Sequence, residues 1–385
     1  MAESSVPLGM GEVPTPPDYG AASLSAVLPS AAAALGVPGY ADALSVAEAC
    51  GGVRRLVVLL VDGLGWRQLQ DHPDLAPVLA GSPGRALSTS FPSTTPVGLG
   101  TLGTGMPPGM HGMVGATFML PETEGVLHPL SWGDDPHPSA VQPERTVLEI
   151  AAAAGVDVQC IGPRAFAATG LTRAVLRGGA YRGADSVGER VAALAEIGDG
   201  PSLTYAYWGD LDKCGHVHGV DSPAWRSELA HVDWMVEAMT AAMPRDSALL
   251  ITADHGMVDC PDASRVDLDA DPALRFGVGR IAGEPRMRHV YARRGAGEEV
   301  VATWAEVLGD RAWVLSREGA VDMGLLGDVE PDYAERVGDV LAIARDRTAL
   351  VSAQVDSVVS SLRGQHGSLS REEMEIPFIV VPGGR

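Results

Sequence analysis

Apolar residues in this chain gather into short unbroken runs rather than into alternating rows. The first run, RLVVLLVD, covers Arg55–Asp62, and similar runs lie at Val156–Ile161, Ser202–Trp208, Ser247–Thr252 and Phe378–Val381. A continuous run of β-branched residues and leucine is typical of a strand with both faces covered, as in a parallel sheet. The pattern therefore predicts the strands of a buried sheet.

Helical patterns precede three of these runs. They cover Arg145–Ala154, Val187–Ile197 and Ala224–Met243. Strands that alternate with helices indicate a mostly parallel sheet wrapped by helices, so the predicted fold class is α/β. In such sheets ligands bind at the carboxyl ends of the strands, which is where we look for chemistry.

The alternation breaks between residues 264 and 358, which we interpret as a smaller inserted subdomain. Shorter strands are predicted there at His289–Ala292, Trp313–Ser316 and Val340–Ala344. The proline-rich residues 118–140 are predicted to form a long loop over the functional site.

The remaining chain is assigned to an N-terminal arm and to the α/β core. Residues 1–45 are predicted to hold the arm, extended over residues 1–20, and a short Ala-rich helix at Ala21–Leu35. The core is predicted to cover residues 46–263 and 359–385, so that the chain returns to the main sheet after the insertion.

Composition and charge narrow the expected partners. An apolar fraction of 46% with a mean hydropathy of +0.10 is typical of a globular protein with a large core. Acidic residues outnumber basic ones by 49 to 28, which gives a net charge of −21. This charge repels nucleic acid backbones and anionic membranes, so neither is an expected partner.

The cysteines and the N-terminus predict a cytoplasmic location. Cys50, Cys160, Cys214 and Cys260 are far apart and form no C-x-x-C pair, which indicates free thiols in a reducing compartment. The N-terminus lacks the basic and apolar segments of a signal peptide. The sequence also contains no run of about 18 apolar residues, the length that a membrane span requires.

A hydroxyl-rich stretch, Leu87–Gly112, reads LSTSFPSTTPVGLGTLGTGMPPGMHG. The apolar residues Val97, Leu99 and Leu102 follow its hydroxyls, which predicts the N-terminus of a buried helix. Such an end suits an anion. Each hydroxyl could cap the helix, bind a phosphate or act as a nucleophile, and the stretch alone favours capping. The candidates are Ser88, Thr89, Ser90, Ser93, Thr94 and Thr95.

Two sets of acidic and histidine residues follow predicted strands. Asp62 ends the first strand, and Asp254 and His255 follow another in ITADHGM. Aspartates before glycine are often turn residues, and an Asp-His pair can be a turn with a satisfied histidine. Gly256 would let both side chains reach one cation.

Further candidates lie in YWGDLDKCGHVHG, interpreted as a polar loop, and in GQHGSLS. The first segment carries Asp212 and His216 four residues apart, but Asp210 and His218 repeat the same residue types. Spacing alone leaves that pairing open. His366 lies between polar and glycine residues before the last strand, where a lone histidine is more often incidental than catalytic.

Together these ligands predict a site for two divalent ions. Carboxylate and imidazole groups without cysteine suit zinc. Six protein ligands exceed the three that a catalytic zinc usually has, so two ions are expected. Paired ions about 4 Å apart are a common device for displacement at phosphorus. The six are Asp62, Asp212, His216, Asp254, His255 and His366.

The chain resembles the alkaline phosphatase superfamily, and within it the type I phosphodiesterase and nucleotide pyrophosphatase group. The resemblance rests on LVVLLVDGLG, FPSTTPVGLGTLGTGMPPGMHGMVG, YWGDLDKCGHVHG, ITADHGMVD and QHGSLSREEMEIPFIVV, which follow the family's order between residues 56 and 381. It implies an alkaline-phosphatase-like three-layer α/β/α sandwich with a mostly parallel central sheet and a smaller inserted α+β subdomain.

The resemblance also implies the ligand sets of two zinc ions. One ion would be held by Asp62, Asp254, His255 and the nucleophile, and the other by Asp212, His216 and His366. In the family an Asp and a His four apart flank a glycine, which selects Asp212 over Asp210 and His216 over His218.

The nucleophile that the resemblance implies is Thr95. Family members place a threonine nine residues before the threonine of a Thr-Gly pair, and Thr104–Gly105 is that pair here. The chain departs from the commoner order because Phe91–Pro92 precedes the threonines, so Thr94 remains an alternative. Position 95 is not cysteine, which argues against a formylglycine sulfatase.

The expected activity is zinc-dependent hydrolysis of a phosphodiester or phosphoanhydride through a phospho-threonine intermediate, on a small-molecule substrate. No counterpart of the arginine that grips phosphate in monoesterase relatives follows Thr95, which favours diesters. A phosphomonoesterase, a phosphonate hydrolase and a non-catalytic metal-binding homologue are the alternatives. Phe118, Trp132 and Tyr181 are candidates for stacking on a base or for the core.

Overall fold

A computed structural model describes residues 14–20 and 22–384, so most of the predicted arm lies outside the described residues. The strands, in chain order, are β1 (Arg55–Val61), β2 (Gly84–Ser88), β3 (Phe118–Leu120), β4 (Gly125–Leu127), β5 (Asp157–Gly162), β6 (Ala180–Gly183), β7 (Ser202–Trp208), β8 (Ser247–Thr252), β9 (Val258–Asp259), β10 (Arg265–Asp267), β11 (Val278–Glu284), β12 (Met287–Ala292), β13 (Ala312–Ser316), β14 (Val340–Ala344), β15 (Ala349–Val351), β16 (Gly364–Gln365) and β17 (Glu375–Pro382).

The α-helices, in the same order, are α1 (Val27–Ala34), α2 (Val46–Ala49), α3 (Trp66–Asp71), α4 (Pro77–Gly81), α5 (Thr95–Thr104), α6 (Pro108–His111), α7 (Pro138–Val141), α8 (Val147–Ala153), α9 (Gly170–Val175), α10 (Val187–Ala195), α11 (Asp210–His218), α12 (Pro223–Ala242), α13 (Gly297–Leu308), α14 (Arg317–Asp322), α15 (Ala353–Ser361) and α16 (Arg371–Met374). The helix predicted at Ala21–Leu35 corresponds to a 3-10 turn and α1.

A seven-stranded sheet forms the centre of the fold, in the order β2-β17-β8-β1-β7-β5-β6. Strand β1 pairs in parallel with β7 and β8, and all seven of its residues are buried. This position explains its unbroken apolar sequence, because helices cover both faces of the sheet. The five predicted core strands are all present.

The last strand, β17, runs antiparallel to both of its neighbours, β2 and β8. The helices form two packed groups, one containing α1, α5, α8 and α9 and the other containing α4, α10, α11 and α12. With the sheet between them, they give the predicted three-layer α/β/α arrangement.

A four-stranded antiparallel sheet, in the order β11-β12-β14-β13, lies within the predicted insertion. Three of its strands are those predicted at His289–Ala292, Trp313–Ser316 and Val340–Ala344. Its own apolar cluster includes the buried residues Trp304 and Leu308 of α13. We call residues 264–358 the smaller subdomain; its boundaries stay a prediction.

Residues 118–140 are not the long loop that their prolines suggested. They contain the antiparallel pair β3–β4 and helix α7. The pair is tied to the smaller subdomain, because the hydroxyl of Tyr291 accepts from the N–H of Met119 and the carbonyl of Glu124 accepts from Arg280. The prolines therefore mark the ends of short elements.

Within the described residues, no helix has both the length and the apolar character needed to cross a membrane. All four cysteines are free, as predicted.

Candidate metal centre

The site lies at the carboxyl edge of the central sheet. Strand β1 leads to Asp62, β8 leads to Asp254 and His255, and β7 leads to helix α11. Strand β2, which is parallel to β8 through β17, leads to the hydroxyl-rich stretch before α5. Parallel strands bring these four segments together because their carboxyl ends meet at one edge.

The first ligand cluster consists of Asp62, Asp254 and His255, all buried, with one ligand atom of each within 4.8 Å of the others. The Nε2 atom of His255 lies 3.4 Å from Asp62 Oδ1 and 3.6 Å from Asp254 Oδ2. Neither oxygen has a hydrogen-bond partner among the described residues. Buried carboxylate oxygens without partners are costly, so their convergence indicates a cation.

The second cluster consists of Asp212, His216 and His366. Asp212 Oδ2 lies 3.4 Å from His216 Nε2, and Asp212 Oδ1 lies 3.9 Å from His366 Nε2. The two histidine Nε2 atoms are 3.2 Å apart. Asp212 Oδ1 also lacks a hydrogen-bond partner within the described part of the chain.

Asp212 and His216 lie on helix α11, not in the polar loop that the sequence suggested. Residues four apart share one face of a helix, so the helix explains their spacing. Asp210 and His218 lie two residues away from this pair, which turns their side chains to other faces. The structure brings together the six predicted ligands and places Asp210 and His218 outside both clusters.

Three histidines share one orientation. The Nδ1 atoms of His216, His255 and His366 contact the carbonyls of Gly364, Gly256 and Ser93 at 2.7, 2.9 and 2.9 Å. A carbonyl can only accept, so each Nδ1 carries the proton and each Nε2 is left with a lone pair. This is how metal-binding histidines are usually held.

Hydrogen bonds to one oxygen of each carboxylate fix the orientation of Asp62 and Asp254. Tyr207 donates to Asp62 Oδ2 at 2.5 Å. The backbone N–H groups of Gly63 and His255 donate to Asp254 Oδ1 at 3.3 and 3.1 Å. The opposite oxygens, Asp62 Oδ1 and Asp254 Oδ2, are thereby left for a cation.

Electrostatics of the metal-free site also favour cations. Burial raises the pKa of Asp62 well above its ordinary value, and the charges of Asp254 and Asp212 raise it further. Burial likewise raises the pKa of Asp254. Burial lowers the pKa of His366, as do the neighbouring His255 and His216. A bound cation would relieve the repulsion between carboxylates and would favour neutral histidine, so the donor set fits divalent metal ions.

Helix α5 begins at Thr95, whose Oγ1 lies 3.3 Å from His255 Nε2 in the first cluster. Thr94 is the residue before the helix, but its side chain makes no capping hydrogen bond. Instead, the Thr94 side chain lies beside Glu284 of the smaller subdomain and lowers the pKa of that carboxyl. The capping interpretation of this hydroxyl is therefore wrong.

The other hydroxyls of the stretch have structural contacts. Thr89 donates to the carbonyl of Asp254, and Ser88 donates to the carbonyl of Thr89. Ser93 donates to the carbonyl of Ser368 at 2.7 Å and accepts from the N–H of Gly367 at 3.1 Å, which ties it to the loop carrying His366. Buried Ser90 has no partner for its hydroxyl among the described residues.

Sequence reasoning missed Tyr207 and Glu284. Tyr207 lies in a predicted strand that ends at the site, so strand position was an available signal. Glu284 lies in the smaller subdomain, far from every motif, and no local signal marks it. The proposed stacking residues are less accessible, since Phe118 and Trp132 are buried in the core. Tyr181 is half-buried and donates to the carbonyl of Pro163.

Solved structures of known proteins share this fold. Murine ectonucleotide pyrophosphatase / phosphodiesterase 5 matches with a TM-score of 0.69 at 19% identity, covering 86% of this chain and 88% of that one. An inactive threonine-to-alanine variant of the murine protein in complex with AMP matches with a TM-score of 0.68. Phosphonoacetate hydrolase from Sinorhizobium meliloti 1021, in complex with phosphonoformate, matches with a TM-score of 0.66 at 19% identity, covering 85% and 90%.

Curated relatives match over a shorter stretch. Phosphopentomutase of Shewanella sp. (strain ANA-3) is 29% identical over 156 residues, which is 40% of this chain and 37% of the relative. The phosphopentomutase of Shewanella baltica (strain OS155) is 29% identical over 160 residues, or 41% and 38%. The matched part therefore spans well under half the length of these relatives.

The fold and the two ligand clusters are those expected of the alkaline phosphatase superfamily. The family model of type I phosphodiesterase / nucleotide pyrophosphatase matches residues 56–369. The chain belongs to that family.

Proposed function

We propose that this protein is a zinc-dependent phosphodiesterase or nucleotide pyrophosphatase that works through a covalent phospho-threonine at Thr95. The observation that carries the proposal is the position of the Thr95 hydroxyl, 3.3 Å from His255 Nε2 at the N-terminus of α5. The threonine-to-alanine variant described as inactive supports a threonine nucleophile in a neighbour of the same fold. Its complex with AMP supports a nucleotide as the substrate class.

Two ions would be held by the two clusters, the first together with Thr95. When bound, such ions supply a lowered pKa for the attacking oxygen and charge stabilisation for the leaving oxygen. Carboxylate and imidazole ligands without cysteine favour zinc. The two triads, Asp62 with Asp254 and His255 and Asp212 with His216 and His366, support the count of two.

In the proposed reaction Thr95 loses its hydroxyl proton and its Oγ1 attacks phosphorus in line. The bond from phosphorus to the leaving oxygen breaks, and that oxygen departs with the electron pair and later takes up a proton. A water molecule then attacks phosphorus, the bond from phosphorus to Thr95 Oγ1 breaks, and Oγ1 takes up the proton that the water loses. This step releases the phosphomonoester product and restores the Thr95 hydroxyl. The positive end of the α5 dipole favours the anionic phosphoryl group throughout.

Thr94 is a weaker candidate because its side chain lies beside Glu284, whose pKa it lowers. Thr95 has its hydroxyl beside the ligand cluster instead. This difference supports the residue that the family pattern implied.

A phosphonate hydrolase is the second candidate, since phosphonoacetate hydrolase shares the fold at a similar TM-score. The experiment compares turnover of bis-p-nitrophenyl phosphate, p-nitrophenyl phosphate, an aryl ester of a nucleoside monophosphate and phosphonoacetate by zinc-loaded protein. We expect the diesters to be preferred. A preference for the monoester or the phosphonate would contradict the proposal.

The free cysteines support a reducing compartment, and we place the enzyme in the cytoplasm. Localisation of a tagged full-length chain tests this placement. We retain the N-terminal arm over residues 1–45, the core over 46–263 and 359–385, and the smaller subdomain as the proposed domain division.

A further inference from the structure

Glu284 is a buried acid that the smaller subdomain brings to the metal centre. It is the last residue of β11, beside the turn to β12, where it pairs with Met287. The residue is 5% exposed, and its Oε1 has no hydrogen-bond partner in the described chain. A buried carboxyl with an unpaired oxygen lowers the stability of the fold. Its presence therefore indicates a role other than stabilisation.

The neighbouring charged residues of the same hairpin are paired. Arg286 forms a fully buried ion pair with Glu373 at 2.7 Å. Arg288 forms an ion pair with Asp356 at 2.5 Å. Neither arginine donates to Glu284 in the described contacts of its guanidinium group. The hairpin therefore satisfies its other charges and leaves the Glu284 carboxyl for contacts with the site.

The contacts of Glu284 lie on two catalytic segments. One is the Thr94 side chain, which lowers the pKa of the Glu284 carboxyl and lies directly before the helix that begins with Thr95. The other is the His366 loop: Glu284 Oε2 lies 3.7 Å from His366 Nδ1, and a Cβ atom added to Gly367 would lie 2.7 Å from Glu284 Oε1. The carboxyl thus fills the space where these two segments meet.

We propose that Glu284 is a positioning residue of the metal centre: through Thr94 it fixes the start of α5, and by packing against the His366 loop it orients the second ligand cluster. The effect on Thr95 rests on the proposed function, whereas the effect on the second cluster does not. By supplying this carboxyl, the smaller subdomain contributes directly to the metal centre.

The alternative is that Glu284 merely stabilises the subdomain. A structural role predicts a lower melting temperature with unchanged zinc affinity per folded molecule. A positioning role predicts weaker zinc binding at constant fold, because partners that orient metal ligands typically change metal affinity or activity by about 10–100-fold.

The experiment uses the full chain with Glu284→Gln, Glu284→Ala, Thr94→Val and the double variant Glu284→Ala/Thr94→Val. Asp339→Ala is the matched control, because Asp339 is a carboxylate of the same subdomain that pairs with Arg317 and accepts from the N–H of Ala292. The readouts are zinc affinity of both sites by competition with a chromophoric chelator, the rate of phospho-threonine formation, and the melting temperature.

We expect Glu284→Ala to weaken zinc binding in the second cluster and to slow phospho-threonine formation, by about 10–100-fold each. Glu284→Gln keeps an acceptor for Thr94 and should stay within about threefold of the wild type. In phospho-threonine formation, Thr94→Val should reproduce part of the Glu284→Ala loss, and the double variant should lose less than the product of the single effects.

Three results would overturn the proposal: wild-type zinc affinity in Glu284→Ala, equal losses in Glu284→Gln and Glu284→Ala, or equal losses in Asp339→Ala. If Glu284→Ala does not fold, Glu284→Gln and Thr94→Val decide the question: phospho-threonine formation at the wild-type rate in Thr94→Val, or a loss of zinc affinity well beyond about threefold in Glu284→Gln, would contradict the proposal. Zinc affinity is read without turnover. A wild type that forms no phospho-threonine would therefore refute the proposed function and leave the zinc test of Glu284 intact.

Discussion

The imidazole rings of His255 and His366 stack with their centroids 3.6 Å apart and their planes at 14°. The two residues belong to different ligand clusters, so the stacked rings place the clusters in direct contact and form one centre. The proton on each Nδ1 is held by a backbone carbonyl, which leaves both Nε2 atoms for ligands. A charge placed in one cluster is therefore felt in the other.

The contact between the two clusters predicts both the metal content and how the two sites affect each other. We expect the purified, zinc-loaded protein to hold about two ions per chain, the count for paired-ion phosphoryl transfer. Because the His366 ring packs against His255, His366→Ala should weaken metal binding in the first cluster as well as remove an ion from the second. Elemental analysis and chelator titration measure both effects. A chain that binds one ion, or a His366→Ala variant with an unchanged first site, would contradict this prediction.

Asp62→Asn should stabilise the metal-free protein and weaken metal binding. In the metal-free fold the pKa of Asp62 is raised above 3.8 by burial and by Asp254 and Asp212. The folded state therefore holds a proton that the unfolded state releases, and folding loses free energy as the pH rises from about 4 through the folded pKa. Asparagine carries no such charge and keeps an acceptor for Tyr207.

The test is urea unfolding of metal-free wild type and Asp62→Asn from pH 5 upward. The stability advantage of the variant should grow with pH, because each unit of pKa shift corresponds to about 1.4 kcal/mol. With zinc bound, the order should reverse. An advantage that shrinks as the pH rises would show that the folded pKa of Asp62 is not raised.

Tyr207→Phe should lower zinc affinity by about tenfold, since the hydroxyl that fixes Asp62 Oδ2 is lost. Tyr205→Phe is the matched control. Tyr205 lies two residues earlier in β7, is buried, and has no hydrogen-bond partner for its hydroxyl in the described structure. Removing an unpaired buried hydroxyl should leave zinc affinity unchanged. Equal effects of the two substitutions would argue against an orienting role of Tyr207.

Helix α11 provides an internal scan. Asp212→Ala and His216→Ala should each remove binding in the second cluster, because both side chains belong to it. Asp210→Ala and His218→Ala should retain the metal and most of the activity, since they lie on other faces of the helix. Metal analysis of the four variants distinguishes these pairs. Loss of metal in Asp210→Ala or His218→Ala would show that the metal-binding face of the helix has been assigned incorrectly.

The sequence predicted the sheet and the ligands because both depend on local patterns. Burial on two faces requires the unbroken apolar run of β1, and parallel pairing brings Asp62 and Asp254 to one edge. The polar composition of residues 210–218 suggested a loop, yet the segment is helical. Acidic residues in its first turn and histidines in its last turn complement the helix dipole, and packing against α12 adds support.

Long-range contacts lay beyond sequence reasoning. The contact of Thr94 with Glu284 joins residues far apart in sequence. The loop of His366 is placed by Ser93, whose carbonyl and hydroxyl both contact it. No periodicity encodes such pairings. The first arises when the smaller subdomain packs against the core, and the second arises when two distant segments of the core meet.

Thr95 carries the phosphoryl group in the proposed reaction, and trapping that group tests this role most directly. Zinc-loaded wild type mixed with bis-p-nitrophenyl phosphate and quenched in acid within one turnover should release one p-nitrophenolate and yield a peptide that carries a p-nitrophenylphosphoryl group on Thr95, identified by fragmentation mass spectrometry. Thr95→Ala should yield no such peptide, keep its zinc, and lose at least about 10³-fold in kcat. The p-nitrophenylphosphoryl group on Thr94 instead, or full turnover by Thr95→Ala, would contradict the proposed role of Thr95.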